Sequence, residues 1–221
     1  AYHCMPAAPD GDGGVLMTWA NSGGWVTGYN IRAQRILANG STFWGNADIY
    51  GGVLVSAGEF HETVPQVASD GDGGAFIVWE DARAGGNIND NSKHEIYAAH
   101  ILSNGTKDPD WPDYWLPLST TADGFHRTPR IMADGVGGAY AIWVRSGDPA
   151  LGDSQIRVTR FAADSTFVHG WDITGIHLTP AETFSVVYPR FVPDSQLGPF
   201  AGCDAGNVGA DTSRTLRRFT T

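Results

Sequence analysis

The stretch Asp70-Gly-Asp-Gly-Gly-Ala-Phe-Ile-Val-Trp79 decides the fold, because the chain writes it three times. It occurs first as Asp10-Gly-Asp-Gly-Gly-Val-Leu-Met-Thr-Trp19 and last as Asp134-Gly-Val-Gly-Gly-Ala-Tyr-Ala-Ile-Trp143. A phrase that returns about every 60 residues marks one supersecondary unit, copied and stacked. Within the phrase, glycines supply the positive φ that a tight turn needs, and the apolar run after them reads as a buried strand.

The second copy shows the whole unit. A short strand at 65–69 leads into the Gly-rich hairpin, and a second strand follows at 75–80. A polar loop covers 81–93, a third strand covers 95–102, and a fourth lies around 111–118. The third strand repeats as Asn30-Ile-Arg-Ala-Gln-Arg-Ile-Leu37, Glu95-Ile-Tyr-Ala-Ala-His-Ile-Leu102 and Gln155-Ile-Arg-Val-Thr-Arg-Phe161. Asn39-Gly40 and Asn104-Gly105 close its turn in the first two units, a strong hairpin signal. Trp44, Trp111 and Trp171 precede the fourth strand, and Phe60, Phe125 and Phe184 follow it. Four short antiparallel strands per unit is the pattern of a propeller blade. The reading divides the chain into blade 1 at 1–64, blade 2 at 65–128, blade 3 at 129–188, and a partial blade with an irregular tail at 189–221.

The pattern Asp-Gly-x-Gly-Gly-Ala, Trp79-Glu-Asp-Ala-Arg83, Glu95-Ile-Tyr97 and Asn104-Gly105 resembles the β-propeller repeats of large secreted bacterial proteins. The resemblance implies an all-β propeller and a secreted or cell-surface origin. It leaves the activity open, because propellers host enzymes, lectins and scaffolds alike. The third unit departs at Val144-Arg145-Ser146, and the fourth replaces the Gly-rich turn with Ser195-Gln-Leu-Gly198 and puts Cys203 where Trp belongs. Three four-stranded blades and a partial fourth leave open blade faces. The expectation is a homodimer that completes a roughly six-bladed ring.

Composition narrows the partners. The 221 residues carry a net charge of −10, which argues against nucleic acid and suits a neutral or cationic ligand or a metal ion. No apolar run reaches membrane-spanning length, so no membrane partner is expected. No leader pattern precedes the first strand, and the chain reads as a mature, trimmed form. Cys4 and Cys203 read as unpaired thiols, with a ring-closing disulfide as the alternative.

Four groups of residues could carry chemistry. His61 and His126 each follow a phenylalanine just before a first strand, where repeat-equivalent positions would meet near a channel mouth. Glu59, Glu62, Asp123 and Glu182 lie nearby. Such a cluster could hold a divalent ion that activates water, or act as a general base; the structural alternative is a pair of duplicated interface residues. Asp10, Asp12, Asp70 and Asp72 could present oxygens to a metal ion, Ca or Zn, or simply serve the hairpins. His94 ends a polar insertion that could contact a ligand or stay solvated. The Asp81–Arg83 pair reads as a tie between neighbouring blades.

Two functions follow. One is a hydrolase of small esters, lactones or phosphoesters with a metal-assisted site at the channel. The alternative is a non-catalytic propeller that binds a glycan or protein through blade-top loops.

Overall fold

A computed structural model describes residues 5–22, 28–45, 51–58, 60–85, 93–120, 122, 124–147, 154–178, 185–192, 200–206 and 213–218. They form a β-propeller. The first sheet is β1 (Ala7–Pro9), β2 (Val15–Ser22), β3 (Tyr29–Ile36) and β4 (Val53–Ser56), hydrogen-bonded in that order. The second is β5 (Glu62–Ser69), β6 (Ala75–Asp81), β7 (Glu95–Ile101) and β8 (Leu116–Pro117). The third is β9 (Phe125–Ala133), β10 (Ala139–Ser146), β11 (Ser154–Phe161) and β12 (Ile176–His177). Every pairing is antiparallel between chain neighbours.

The repeated phrase builds its turn by one device. Oδ1 of Asp10, Asp70 and Asp134 accepts two backbone N–H bonds, from residues 12 and 14, 72 and 74, and 136 and 138. The last glycine of each phrase is needed for space. A Cβ on Gly14, Gly74 or Gly138 would meet the carbonyl oxygen of Ile36, Ile101 or Phe161 at 2.3, 2.5 and 2.3 Å.

Side-chain alternation then sends each blade's strands into two cores. Ala75, Ile77 and Trp79 of β6 pack with Leu16, Ala20, Ile31 and Ala33 of the first sheet. Phe76 and Val78 point the other way and pack with Ala139, Ala141 and Trp143 of the third. Ile142, Val144, Ile156 and Val158 form a third core on which Phe191 packs. The sheets therefore stack in chain order, and indoles join them. Trp44 Nε1 donates to the Ser103 carbonyl at 2.8 Å, and Trp111 Nε1 to the Ala163 carbonyl at 2.6 Å.

The C-terminal part departs from the sequence reading. β13 (Ser185–Val192), β14 (Phe200–Gly206) and β15 (Ser213–Arg218) form a three-stranded sheet, so 204–206 and 213–218 are strand, not irregular tail. Backbone pairing carries these strands although their composition lacks the repeat's turn and apolar run. Arg214, Arg217 and Arg218 accordingly sit in a paired strand. The expected six-bladed ring counted three full blades per chain, and four sheets change that count. First strands also begin earlier than read, at Glu62, Phe125 and Ser185. Cys4 lies outside the described residues.

Candidate functional site

A cleft of about 500 Å³ opens where the first blade meets the second, within the size range of small-ligand pockets. Ser56, Ala57 and Gly58, which follow or end β4, form one side with Phe60. Arg83, Asp113, Tyr114 and Trp115 form the other.

Trp115 is the anomaly of the repeat. The residue after it, Leu116, pairs with Ala98, as Val53 pairs with Ala33 and Ile176 with Val158. Trp115 thus stands where the other blades have Gly52 and Gly175. Both glycines have positive φ, 65° and 66°, and Trp115 keeps that conformation at 72°. A bulky L-residue held there costs on the order of 1–3 kcal/mol, and such outliers cluster at functional sites. The surroundings fix the ring. Its Nε1 donates to Ser56 Oγ at 3.1 Å, Trp79 meets it edge-on with centroids 5.9 Å apart, and Lys107 Nζ lies 4.5 Å from the ring centroid.

Beside it, Arg83 follows β6 on one turn of 3₁₀ helix, Arg83–Gly85. Its Nη2 and Nε donate to Asp81 Oδ2 and Oδ1 at 2.6 and 2.9 Å, its guanidinium carbon lies 4.2 Å from the Tyr97 ring centroid, and Nη1 donates to the Tyr114 carbonyl at 3.2 Å. Desolvation works against the Arg83 charge, but the Asp81 carboxylate outweighs it and raises the guanidinium pKa. The Asp81–Arg83 pair therefore shapes the wall of one blade. It does not tie neighbouring blades, as the sequence reading expected.

Beneath the cleft lies Glu62, 1% exposed. Its Oε1 accepts from Ser56 Oγ at 2.7 Å and Gly58 N at 3.0 Å, while Oε2 has no hydrogen-bond partner. Glu62 pairs across the strands with Asp81, also 1% exposed. Burial chiefly, with Asp81 adding, pushes the Glu62 carboxyl up to about 7.

No protein-family model and no curated protein matches the chain. Among solved structures it is similar to an alpha-L-arabinofuranosidase from Lactobacillus brevis, 18% identical over 96% of this chain and 66% of that one, with a TM-score of 0.49. It is also similar to a GH43 endo-arabinanase from Bacillus licheniformis, 9% identical over 97% of this chain and 92% of that one, with a TM-score of 0.29. The chain spans just under two thirds of the arabinofuranosidase.

His61 and His126, expected at repeat-equivalent positions, are not equivalent in the strand register. Strand pairing matches Glu62, opposite Asp81, with His126, opposite Arg145. The left-handed residues Val64 (φ 52°) and Thr128 (φ 53°) mark the same bulge in both blades, so His61 corresponds to Phe125. His126 is buried with both ring nitrogens engaged: Nδ1 accepts from Trp143 Nε1 at 2.8 Å, and Nε2 donates to the Thr120 carbonyl at 3.0 Å. That bonding sets its tautomer and leaves no lone pair for a metal. His61 packs at a tilt against Tyr29 with centroids 5.4 Å apart, its buried Nδ1 without a hydrogen-bond partner. Glu59, Asp123 and Glu182 lie outside the described residues.

The aspartate pairs do not converge on a metal position either. Asp10 Oδ2 accepts from Arg35 Nε at 2.8 Å and Asp12 from Arg35 Nη2 at 2.7 Å, so a guanidinium stands where a cation would. Asp70 Oδ2 pairs with His100 Nε2 at 3.0 Å, and Asp72 is exposed. His94 is buried against Glu80, Nδ1 to Oε2 at 3.0 Å. Among the described residues no three His, Cys, Asp or Glu side chains are placed to hold a metal ion. No helix among them is long and apolar enough to cross a membrane.

Sequence reasoning missed Trp115, Ser56 and the role of Glu62. Aligning the residue before each fourth strand, Gly52, Trp115 and Gly175, would have exposed the first.

Proposed function

We propose that this chain is a carbohydrate-binding propeller whose site is the cleft between its first two blades. The observation that carries the reading is Trp115, an aromatic placed at a left-handed glycine position of the repeat and braced there by Ser56, Trp79 and Lys107. An indole wall offers a flat apolar face to the C–H side of a sugar ring, with Phe60 and Tyr114 adding to it. Arg83, Asp113 and backbone groups at the rim can orient hydroxyls. Arg83 is already neutralised by Asp81, so the wall favours an uncharged sugar over an anion. The secreted setting implied by the repeat resemblance is where such a module meets polysaccharide.

The test is calorimetric binding of neutral arabinan, xylan, glucan and mannan oligosaccharides. At least one should bind, and Trp115→Gly, which restores the residue of the other blades, should weaken it tenfold or more while the chain stays folded. Absence of binding across the panel, or equal binding by the variant, would overturn the reading.

Glycoside hydrolysis is the second reading, favoured by one observation. Glu62 and Asp81 are a facing carboxyl pair of which one is held protonated near neutrality, the division of labour such chemistry requires. Both are sealed, which is why binding ranks first. Release of reducing ends that disappears in Glu62→Gln and Asp81→Asn would reverse the order. The ester, lactone and phosphoester reading has lost the histidine and metal geometry on which it stood.

A further inference from the structure

We infer that Glu62 is a positioning residue for this cleft: it holds the 56–58 floor from beneath and, through the Ser56 hydroxyl, sets the Trp115 indole, so that the aromatic wall takes two positions according to whether Glu62 carries a proton. The inference rests on the cleft being the binding site, and deepens that reading into its regulation.

One hydroxyl makes the connection. Ser56 Oγ donates to Glu62 Oε1 at 2.7 Å and accepts from Trp115 Nε1 at 3.1 Å. The same Oε1 accepts from the Gly58 amide, so the carboxyl grips two points of the floor. Any displacement of that oxygen therefore moves Ser56, and the indole bonded to it. Space is tight: a Cβ on Gly58 would lie 2.8 Å from Glu62 Oε1.

The two protonation states cannot share one geometry. Ionised Glu62 would carry charge on Oε2, which is buried and has no donor. It would do so opposite Asp81, its cross-strand partner. An unsatisfied buried charge is relieved by movement toward a donor or water. The residues that close Glu62 off on the cleft side are Ser56 and Gly58 themselves. Of the charged groups around it, Asp81 on β6 opposes ionisation and Arg83 favours it. β7 adds Tyr97, stacked on Arg83, and Glu95, which accepts from the Tyr97 hydroxyl at 3.2 Å. β4 adds only the uncharged Ser56. Ionisation thus loosens the floor and the indole together, whereas the protonated form keeps the wall as described.

The full chain labelled with 5-fluorotryptophan, followed by ¹⁹F NMR from about pH 5 to about pH 9, reads the wall directly. Trp115→Phe assigns the resonance. In the parent chain the Trp115 line should shift with a midpoint near 7. In Glu62→Gln the shift should vanish, because the amide still accepts from Ser56 and cannot ionise. In Ser56→Ala it should also vanish, although Glu62 stays buried and still titrates, and this milder variant carries the test should Glu62→Gln fail to fold. A Trp115 line that holds still over the range, or moves equally in both variants, overturns the coupling. No sugar is present, so failure here is distinct from failure of the binding panel.

Discussion

His100 in the second blade stands where Arg35 stands in the first, and each is bound to the aspartate that closes its own Gly-rich turn. Arg35 Nε reaches Asp10 Oδ2 at 2.8 Å, and His100 Nε2 reaches Asp70 Oδ2 at 3.0 Å. Arg160 completes the series on Asp134 at 2.9 Å. The histidine also faces Asp108 through Nδ1 at 2.8 Å, so its ring lies between two carboxylates. His100→Ala would strand two largely buried carboxylates, so a loss of about 2–4 kcal/mol in urea unfolding is expected. His100→Arg, which imitates the neighbouring blades, should cost less.

The same pair predicts an acid limit. Burial alone would raise the Asp70 carboxyl, but the His100 bond and the amides of Asp72 and Gly74 outweigh it and hold it below the ordinary aspartate value. The unfolded chain therefore takes up the proton first as pH falls. Stability is present above the ordinary aspartate value and is lost as pH drops through the folded one. Melting temperatures at about pH 3 and about pH 6 should differ less in Asp70→Asn than in the parent chain.

The glycines of the turn are not alike. Gly135 has φ 79° and open space where a side chain would go, whereas Gly138 has the Phe161 carbonyl 2.3 Å from an added Cβ. Gly135→Ala should cost about 1 kcal/mol, the penalty of a left-handed alanine. Gly138→Ala should cost roughly 2–4 kcal/mol, because strands β10 and β11 must part. Denaturant midpoints of the two variants give the comparison, and a reversed order would refute this account of the motif.

His126 provides a test of the site assignment. It accepts the buried Trp143 N–H, and His126→Ala leaves that donor unsatisfied above a new cavity. A destabilisation of about 2–4 kcal/mol is expected. Sugar binding in the cleft should be unchanged at a temperature where the variant is folded. Loss of binding without loss of stability would return His126 to a functional role.

The blades were legible because their determinants are local. The Asp-Gly-x-Gly-Gly turn specifies its own hydrogen bonds, and strand alternation follows from it. The site was not legible, because it depends on register. His61 and His126 look equivalent when counted from Phe60 and Phe125, yet bulges at Val64 and Thr128 set the pairing and match His126 with Glu62. Glu62 looks like any surface glutamate until Ser56, at the end of the preceding strand, is seen to bond it. Trp115 hid inside a stretch read as one more strand. The strands at 200–206 and 213–218 carry none of the repeat's turn signals, so pairing alone reveals them.

Glu62 should also leave a signature in global stability, opposite in sign to that of Asp70. Its ordinary value is 4.5 and its folded value about 7. Between the two, the native state keeps a proton that the unfolded chain has released, so stability falls as pH rises through this window. A shift of that size corresponds to about 3 kcal/mol, since each unit is about 1.4 kcal/mol. Unfolding free energies from urea melts at about pH 5 and about pH 8 should therefore decline in the parent chain and stay nearly level in Glu62→Gln. Glu62→Ala separates burial from packing. It removes the titration too, but also the two bonds to Ser56 and Gly58, so it should be level with pH yet less stable than Glu62→Gln throughout. A parent chain whose stability does not fall between these pH values would mean that Glu62 is hydrated in solution and that the cleft floor is open to water.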